Sequence, residues 1–270
     1  MMSNEPDSPS SSSFGFVDVH AHILPGLDDG ARDFDDAVAI AAAAAAAGTA
    51  VMVATPHISD ESPVPLAQTR ERLTELRRAI AEAGISLDIL LGCEPRFVPS
   101  VVGRVVAGDL PTLAGSRYLL LEWPVVPVLY TDQTLFDLRV KGFHPVLAHV
   151  ERYRFVQSDV NMLVPLVERG TLMQVTAGSL TGAFGPAAQR TAEVLIERGI
   201  AHVIASDAHS VDSRPPDLRP AYERALELVG TDAARSLVID VPRAIVENRA
   251  VEIQPPRPPR RRPFWARWRG

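Results

Sequence analysis

The chain has 270 residues, a formal net charge of −6, 46% hydrophobic residues and 22% charged ones, a globular balance that excludes wholesale disorder. A single cysteine excludes a disulfide scaffold and any zinc site built from several thiolates. The charge is unevenly placed: Gln254 to Gly270 carries six arginines and no acid, which leaves −12 on the rest and argues against a surface that binds nucleic acid.

The first residues, MMSNEPDSPSSSS, lack both a basic start and an apolar stretch, so residues 1–15 are expected to be a flexible serine-rich leader and not a secretory signal. Strands are expected near 16–19, 50–54, 87–91, 118–121, 145–148, 171–175 and 201–205. Apolar residues at helical spacing predict helices over 33–47, 66–83, 135–141 and 187–198. Gly48, Gly84, Gly142, Gly170 and Gly199 each stand between a predicted helix and the next strand, where C-terminal caps belong. The longest apolar run, Ala37 to Ala47, would make roughly 16 Å of helix against a hydrocarbon core of about 30 Å, so a cytoplasmic protein is expected. Residues 16–250 read as one body. Residues 251–270 read as a Pro/Arg/Trp-rich tail, expected to be disordered.

The strand ends carry the polar chemistry. His20 and His22 follow the first strand and His57 the second; Glu94, Glu122 and His149 follow the third to fifth, and Asp207 and His209 the seventh. One crevice in an open sheet does not gather residues from so many strand ends, whereas a barrel rings all of them around one face. The expected fold is therefore α/β, a distorted seven-unit (β/α)7 barrel.

Residues two apart on an extended strand project to the same side, so His20 and His22 can hold one ion together. With Asp29 from the loop Pro25-Gly26-Leu27-Asp28-Asp29-Gly30, nine imidazole and carboxylate groups make a candidate site for two or three divalent ions. A donor set without thiolate suits manganese best, with iron or zinc as alternatives. Arg152 and Arg214, three and five residues past His149 and His209, are candidate phosphate ligands, because a guanidinium fork matches phosphate oxygens. His144 and His202 stand at strand starts and Cys93 reads as a small buried residue; none is assigned to the site.

The run Asp18-Val19-His20-Ala21-His22-Ile23-Leu24-Pro25-Gly26-Leu27-Asp28-Asp29-Gly30 resembles the opening of the PHP (polymerase and histidinol phosphatase) superfamily. More closely, the chain is similar to capsular and exopolysaccharide tyrosine-protein phosphatases of the CpsB/YwqE type. The likeness continues through Thr55-Pro56-His57, Gly92-Cys93-Glu94, Leu121-Glu122, His149-Val150-Glu151-Arg152-Tyr153, Ala177-Gly178-Ser179-Leu180 and Ser206-Asp207-Ala208-His209, over about residues 16–250 in order. The resemblance implies a metal-dependent phosphatase whose protein substrate is the tyrosine-rich tail of a membrane-associated bacterial tyrosine kinase controlling polysaccharide synthesis. It implies one ion held by His20, His22, Glu94 and Asp207, a second by Glu94, Glu122 and His149, and Asp29, His57 and His209 around a third. Arg152 and Arg214 match its arginines near the substrate phosphate. Relatives often have Pro where Val150 stands and Asn where Thr176 stands.

The expected reaction is hydrolysis of phosphotyrosine by metal-activated water. The cysteine-phosphatase mechanism needs C-x5-R, and the sixth residue after Cys93 is Pro99. Two other readings compete: a PHP-type phosphoesterase for a small metabolite such as histidinol phosphate, and an inactive module that docks a kinase. For the tail, residues 254–270, an unstructured solvated extension competes with peripheral contact to an anionic membrane through arginine and tryptophan.

Overall fold

The computed structural model describes residues 15–59 and 64–258. Its strands are β1 (Phe16–Ala21), β2 (Thr49–Ala54), β3 (His57–Ile58), β4 (Asp88–Leu91), β5 (Glu94–Pro95), β6 (Tyr118–Leu121), β7 (His144–Leu147), β8 (Leu172–Thr176) and β9 (Val203–Ala205). Seven of them overlap the expected stretches. The two-residue strands β3 and β5 are additional, too short to leave a periodic signal. They resume β2 and β4 after the breaks at Thr55-Pro56 and Gly92-Cys93, and they pair so that His57 stands opposite Glu94.

Helices occupy Phe34–Ala46, Leu66–Glu82, Thr131–Val140 and Gly185–Glu197, in the predicted places. The first starts where the Asp33 side chain accepts the Asp36 N–H, an N-cap. All five expected cap glycines adopt left-handed φ, between 67° and 92°, which explains why glycine stands there. The helices after β9, chiefly Arg219–Val229 and Val241–Val246, were not among the predicted elements.

Ladder hydrogen bonds do not run as one closed ring through the described residues. These residues make a mixed α/β fold with three parallel ladders, in the orders β1-β2-β4, β3-β5 and β6-β7-β8-β9. The breaks have a local cause: Pro56 has no N–H to donate, so the β2 ladder cannot run through it. Neighbouring ladders meet only near their carboxyl ends. Asp207 N–H donates to His20 O and His22 N–H to Ala208 O, both at 2.8 Å; Glu122 N–H donates to Pro95 O at 3.0 Å.

One apolar interior is shared by strands of the two larger ladders. Val17 and Val19 of β1, Val53 of β2, Leu120 of β6, Val146 of β7, Leu172 of β8 and Val203 and Ala205 of β9 pack in one cluster, with Ile245 from the C-terminal helices. Burial of such side chains contributes about 1.5–3 kcal/mol each. On β1 the register with β2 slips between Asp18 and Ala21. There the face changes: Val17 and Val19 join the shared interior, Ala21 packs among Met52, Ala54 and the first helix, and His20 and His22 turn to the polar site.

The start of the expected tail is held against the body. Ile253 packs on the core, Val251 N–H donates to Tyr118 Oη at 3.0 Å, and Arg257 exchanges hydrogen bonds with Arg198. Residues 251–258 thus touch the body through the apolar Ile253 and through two buried partners, Tyr118 and Arg198. Residues 259–270 and the leader 1–14 lie outside the described residues. No helix among the described residues is long and apolar enough to cross a membrane.

Candidate metal centre

Glu94 is the hub of the site. Its carboxylate is fully buried, yet neither oxygen receives a hydrogen bond. Four imidazole nitrogens surround it instead: His57 Nδ1 and His149 Nε2 at 3.0 Å, His20 Nε2 at 3.3 Å and His22 Nε2 at 3.4 Å. Asp207 Oδ1 lies 3.3 Å from His20 Nε2 and 3.5 Å from His22 Nε2, and those two nitrogens are 3.1 Å apart.

The groups behind the rings decide which nitrogens carry protons. The His149 backbone N–H donates to Gln174 Oε1 at 2.8 Å, which fixes that atom as oxygen; the same atom faces His20 Nδ1 at 3.1 Å, so Nδ1 carries the hydrogen. His22 Nδ1 donates to Asp28 Oδ2 at 2.7 Å, and His209 Nδ1 to the Asp207 carbonyl at 3.0 Å. In its neutral form each of these rings presents a bare Nε2 to the cluster. Bare nitrogens that converge with an unbonded buried carboxylate repel one another unless a cation sits between them, and this donor set fits divalent metal ions.

Electrostatics agree with a cluster dominated by negative charge. Burial disfavours ionised Glu94 and Asp207, but the surrounding imidazoles, with Arg214 beside Asp207, hold both carboxyls well below the usual range. Burial also opposes protonation of His22, yet the Asp207, Asp28 and Glu94 carboxylates around it raise its pKa well above that of an ordinary histidine, so the cluster favours a cation at Nε2, whether a proton or a metal ion. Asp28 is lowered to about 2: burial acts upward, and its bonds from His22 and the Gly30 and His57 N–H groups outweigh it. His209 falls to about 4 through burial and the nearby charges of His22 and Arg214.

Eight of the nine expected ligands come together, in tight groups or around Glu94. His20, His22 and Asp207 present donor atoms within 4.8 Å of one another, as do His22, Asp29, His57 and His209. His149 joins through Glu94. Glu122 belongs to neither group: its carboxylate faces Arg96 Nε at 3.5 Å, and it lines a cavity of about 170 Å³ together with Asp28 and His57. His149 and Asp207 both adopt left-handed backbone, φ 35° and 54°, which is unusual for residues with a Cβ.

Both expected arginines arrive. Arg152 Nη1 donates to Asp207 Oδ2 at 2.9 Å, and Arg214 pairs with the same oxygen. Their guanidinium groups both lie over the ring of Phe184. The unassigned residues behave as expected. The Cys93 thiol is buried, donates to Pro111 O at 3.0 Å and has its pKa raised by burial; His202 Nδ1 accepts the Met173 N–H. His144 packs beside Tyr118.

Sequence reading missed Asp28, Gln174, Asp18 and Phe184. Asp18 Oδ1 accepts the Ser206 N–H at 3.0 Å and so ties β1 to the residue before Asp207. Two signals were present: Asp18 precedes His20 by two, and Gln174 is the lone amide in the otherwise apolar run Leu172-Met173-Gln174-Val175.

The family model for capsular polysaccharide synthesis, CpsB/CapC, matches residues 16–247. The chain belongs to the CpsB/CapC family. Tyrosine-protein phosphatase YwqE of Bacillus subtilis (strain 168) is 34% identical over 251 residues, which cover 91% of this chain and 97% of the relative. Tyrosine-protein phosphatase CpsB of Streptococcus pneumoniae is 28% identical over 242 residues, 87% of this chain and 100% of the relative. A solved chain from the crystal structures of these two proteins, described as unique metal-dependent tyrosine phosphatases, superposes with a TM-score of 0.87. It is 33% identical and covers 91% of this chain and 100% of its own length. This CpsB/CapC member therefore shares both the overall fold and nearly the full length of its phosphatase relatives.

Proposed function

We propose that this chain is a metal-dependent protein-tyrosine phosphatase. The observation that carries the reading is the buried, unbonded Glu94 carboxylate ringed by imidazole nitrogens, with two arginines meeting beside it on Asp207. His20, His22, Glu94 and Asp207 would hold one divalent ion, and Asp29, His57 and His209, with His22, another. Glu94, Glu122 and His149 are the third candidate set, supported at the Glu94–His149 pair. Imidazole and carboxylate donors favour manganese, with iron or zinc as alternatives.

When bound, such ions supply Lewis-acid charge and an acidified water. The protein's own groups do the remainder. Arg152 and Arg214 bind the non-bridging phosphoryl oxygens and neutralise their charge. Gln174 and Asp28 hold His20 and His22 in the tautomers that leave Nε2 free. The Cys93 thiol, buried and bonded to a carbonyl, takes no part.

We read the finer architecture as a distorted seven-unit barrel. It is supported by the shared apolar interior and by the hydrogen bonds that join β9 to β1 and β5 to β6. The proposed substrate is the phosphotyrosine tail of a membrane-associated kinase, met in the cytoplasm. A peripheral membrane contact is proposed through residues 254–270; of these, Arg257 lies by Arg198, at the amino-terminal side of β9.

Full-length protein supplied with Mn²⁺ is expected to hydrolyse a phosphotyrosyl peptide and p-nitrophenyl phosphate, to lose both activities to a chelator, and to prefer the peptide to histidinol phosphate. A folded protein without metal-dependent turnover of any of the three would refute the phosphatase reading.

A further inference from the structure

Phe184 has no place in the apolar clusters of this protein. Its ring is only partly buried, and what covers it is charge. Arg152 Cζ stands 4.3 Å from the ring centroid and Arg214 Cζ 5.8 Å. Both distances lie within reach of attraction between a guanidinium and an aromatic face, at about 6 Å or less. The two arginines come from loops far apart in sequence, one after β7 and one after β9. They meet at two places, the Asp207 carboxylate and this ring.

The seat of the ring is built with care. Phe184 stands at the end of the loop from helix Ala177–Leu180 to helix Gly185–Glu197. Ala183 N–H donates to Gly178 O at 2.8 Å and Gly185 N–H to Gly182 O at 3.0 Å. Gly182 and Gly185 have φ of +92° and +85°, conformations that side chains rarely adopt. A Cβ on Gly178 would come 3.0 Å from the Phe184 ring, so glycine there leaves room for it.

We propose that Phe184 is a positioning residue that holds the Arg152 and Arg214 guanidinium groups together as one anion clamp at the mouth of the metal centre. Two long side chains on separate loops lose much rotamer freedom when they grip one phosphoryl group. A shared aromatic platform removes part of that freedom beforehand, so less is lost on binding. The inference rests on the reading of these arginines as phosphate ligands.

The test uses inorganic phosphate as the probe, titrated calorimetrically into full-length, Mn²⁺-loaded protein. Phe184→Leu, similar in bulk without an aromatic face, should weaken phosphate binding about tenfold at unchanged metal content and melting temperature, and Phe184→Tyr should restore it to within about twofold. With Arg152 and Arg214 both changed to Ala, Phe184→Leu should cost nothing more, because no guanidinium is left to position. Wild-type protein that binds no phosphate, a Phe184→Leu protein that binds it as wild type does, or an equal loss in the double-arginine background would overturn the proposal. Turnover is scored separately. Phosphate binding that depends on Phe184, in a protein that hydrolyses no phosphotyrosyl peptide, would remove the phosphatase reading and leave the clamp standing.

Discussion

The imidazoles of this site are useful because of the residues that stand behind them. Asp28 accepts from His22 Nδ1 and from the Gly30 and His57 backbone N–H groups, so one carboxylate orients two candidate ligands and closes their loop. Such outer partners typically change metal affinity 10- to 100-fold when lost. Asp28→Asn should therefore weaken Mn²⁺ binding by about that factor in competition with a chromophoric chelator; an unchanged affinity would count against the metal centre as drawn. His202 shows the opposite use of histidine. Buried at the start of β9 and accepting the Met173 N–H, it is pushed down to about 4 by burial. Its folded pKa lies below the unfolded value of about 6.5, so the unfolded chain binds the extra proton first as the pH falls. Stability is thus lost between about pH 6.5 and pH 4, by about 2 kcal/mol at pH 5 from this group. Urea unfolding of His202→Gln at pH 7 and pH 5 should show a smaller acid loss than wild type, and parallel losses would contradict the assignment.

At the scale of elements, the decisive piece is the turn that follows β1. Gly26 N–H donates to Ala31 O and Ala31 N–H to His22 O, which folds Asp28 and Asp29 back over the imidazoles. Gly30 lies where its backbone crosses His22: a Cβ there would overlap the His22 carbonyl oxygen and come 2.5 Å from its Cβ. Overpacking of this kind costs about 1–3 kcal/mol. Gly30→Ala should lower the melting temperature and also weaken Mn²⁺ binding, because the turn can accommodate it only by moving His22; full metal affinity in the variant would show that the turn yields elsewhere. Seven strands and the helices Phe34–Ala46, Leu66–Glu82, Thr131–Val140 and Gly185–Glu197 were legible from apolar spacing and glycine caps, since those signals are local. β3 and β5 were not, because two residues carry no period, and the face change on β1 was not, because it depends on pairing with β2.

For the whole molecule, the chain end acts as a brace. Residues 251–258 run past Tyr118 at the start of β6 to Arg198 before β9, with Ile253 on the core between them. A chain ending at Ala250 loses that packing and about three hydrogen bonds, an expected cost of about 2–3 kcal/mol relative to one ending at Pro258. Equal thermal stability of the two shortened chains would show that the brace contributes nothing. The sequence divides chemically into an acidic body and an arginine-rich end, and the described residues 251–258 that lead to that end pack beside Tyr118 and Arg198.

By itself, the sequence determined the local chemistry: H-x-H on a strand end, carboxylates without thiolates, arginines just past His149 and His209, and the order of strands and helices. These follow from spacing along the chain, which a linear reading captures. Only the tertiary structure decided which donors share space. It set His22 in both ligand groups, left Glu122 facing Arg96, and brought Asp28 and Gln174 behind the imidazoles and Phe184 under both arginines. Those contacts join residues far apart in the chain, His20 and Gln174 by 154 positions and His20 and Asp207 by more still. Distances of that kind are fixed by ladder register and a shared core, and no spacing in the sequence encodes them.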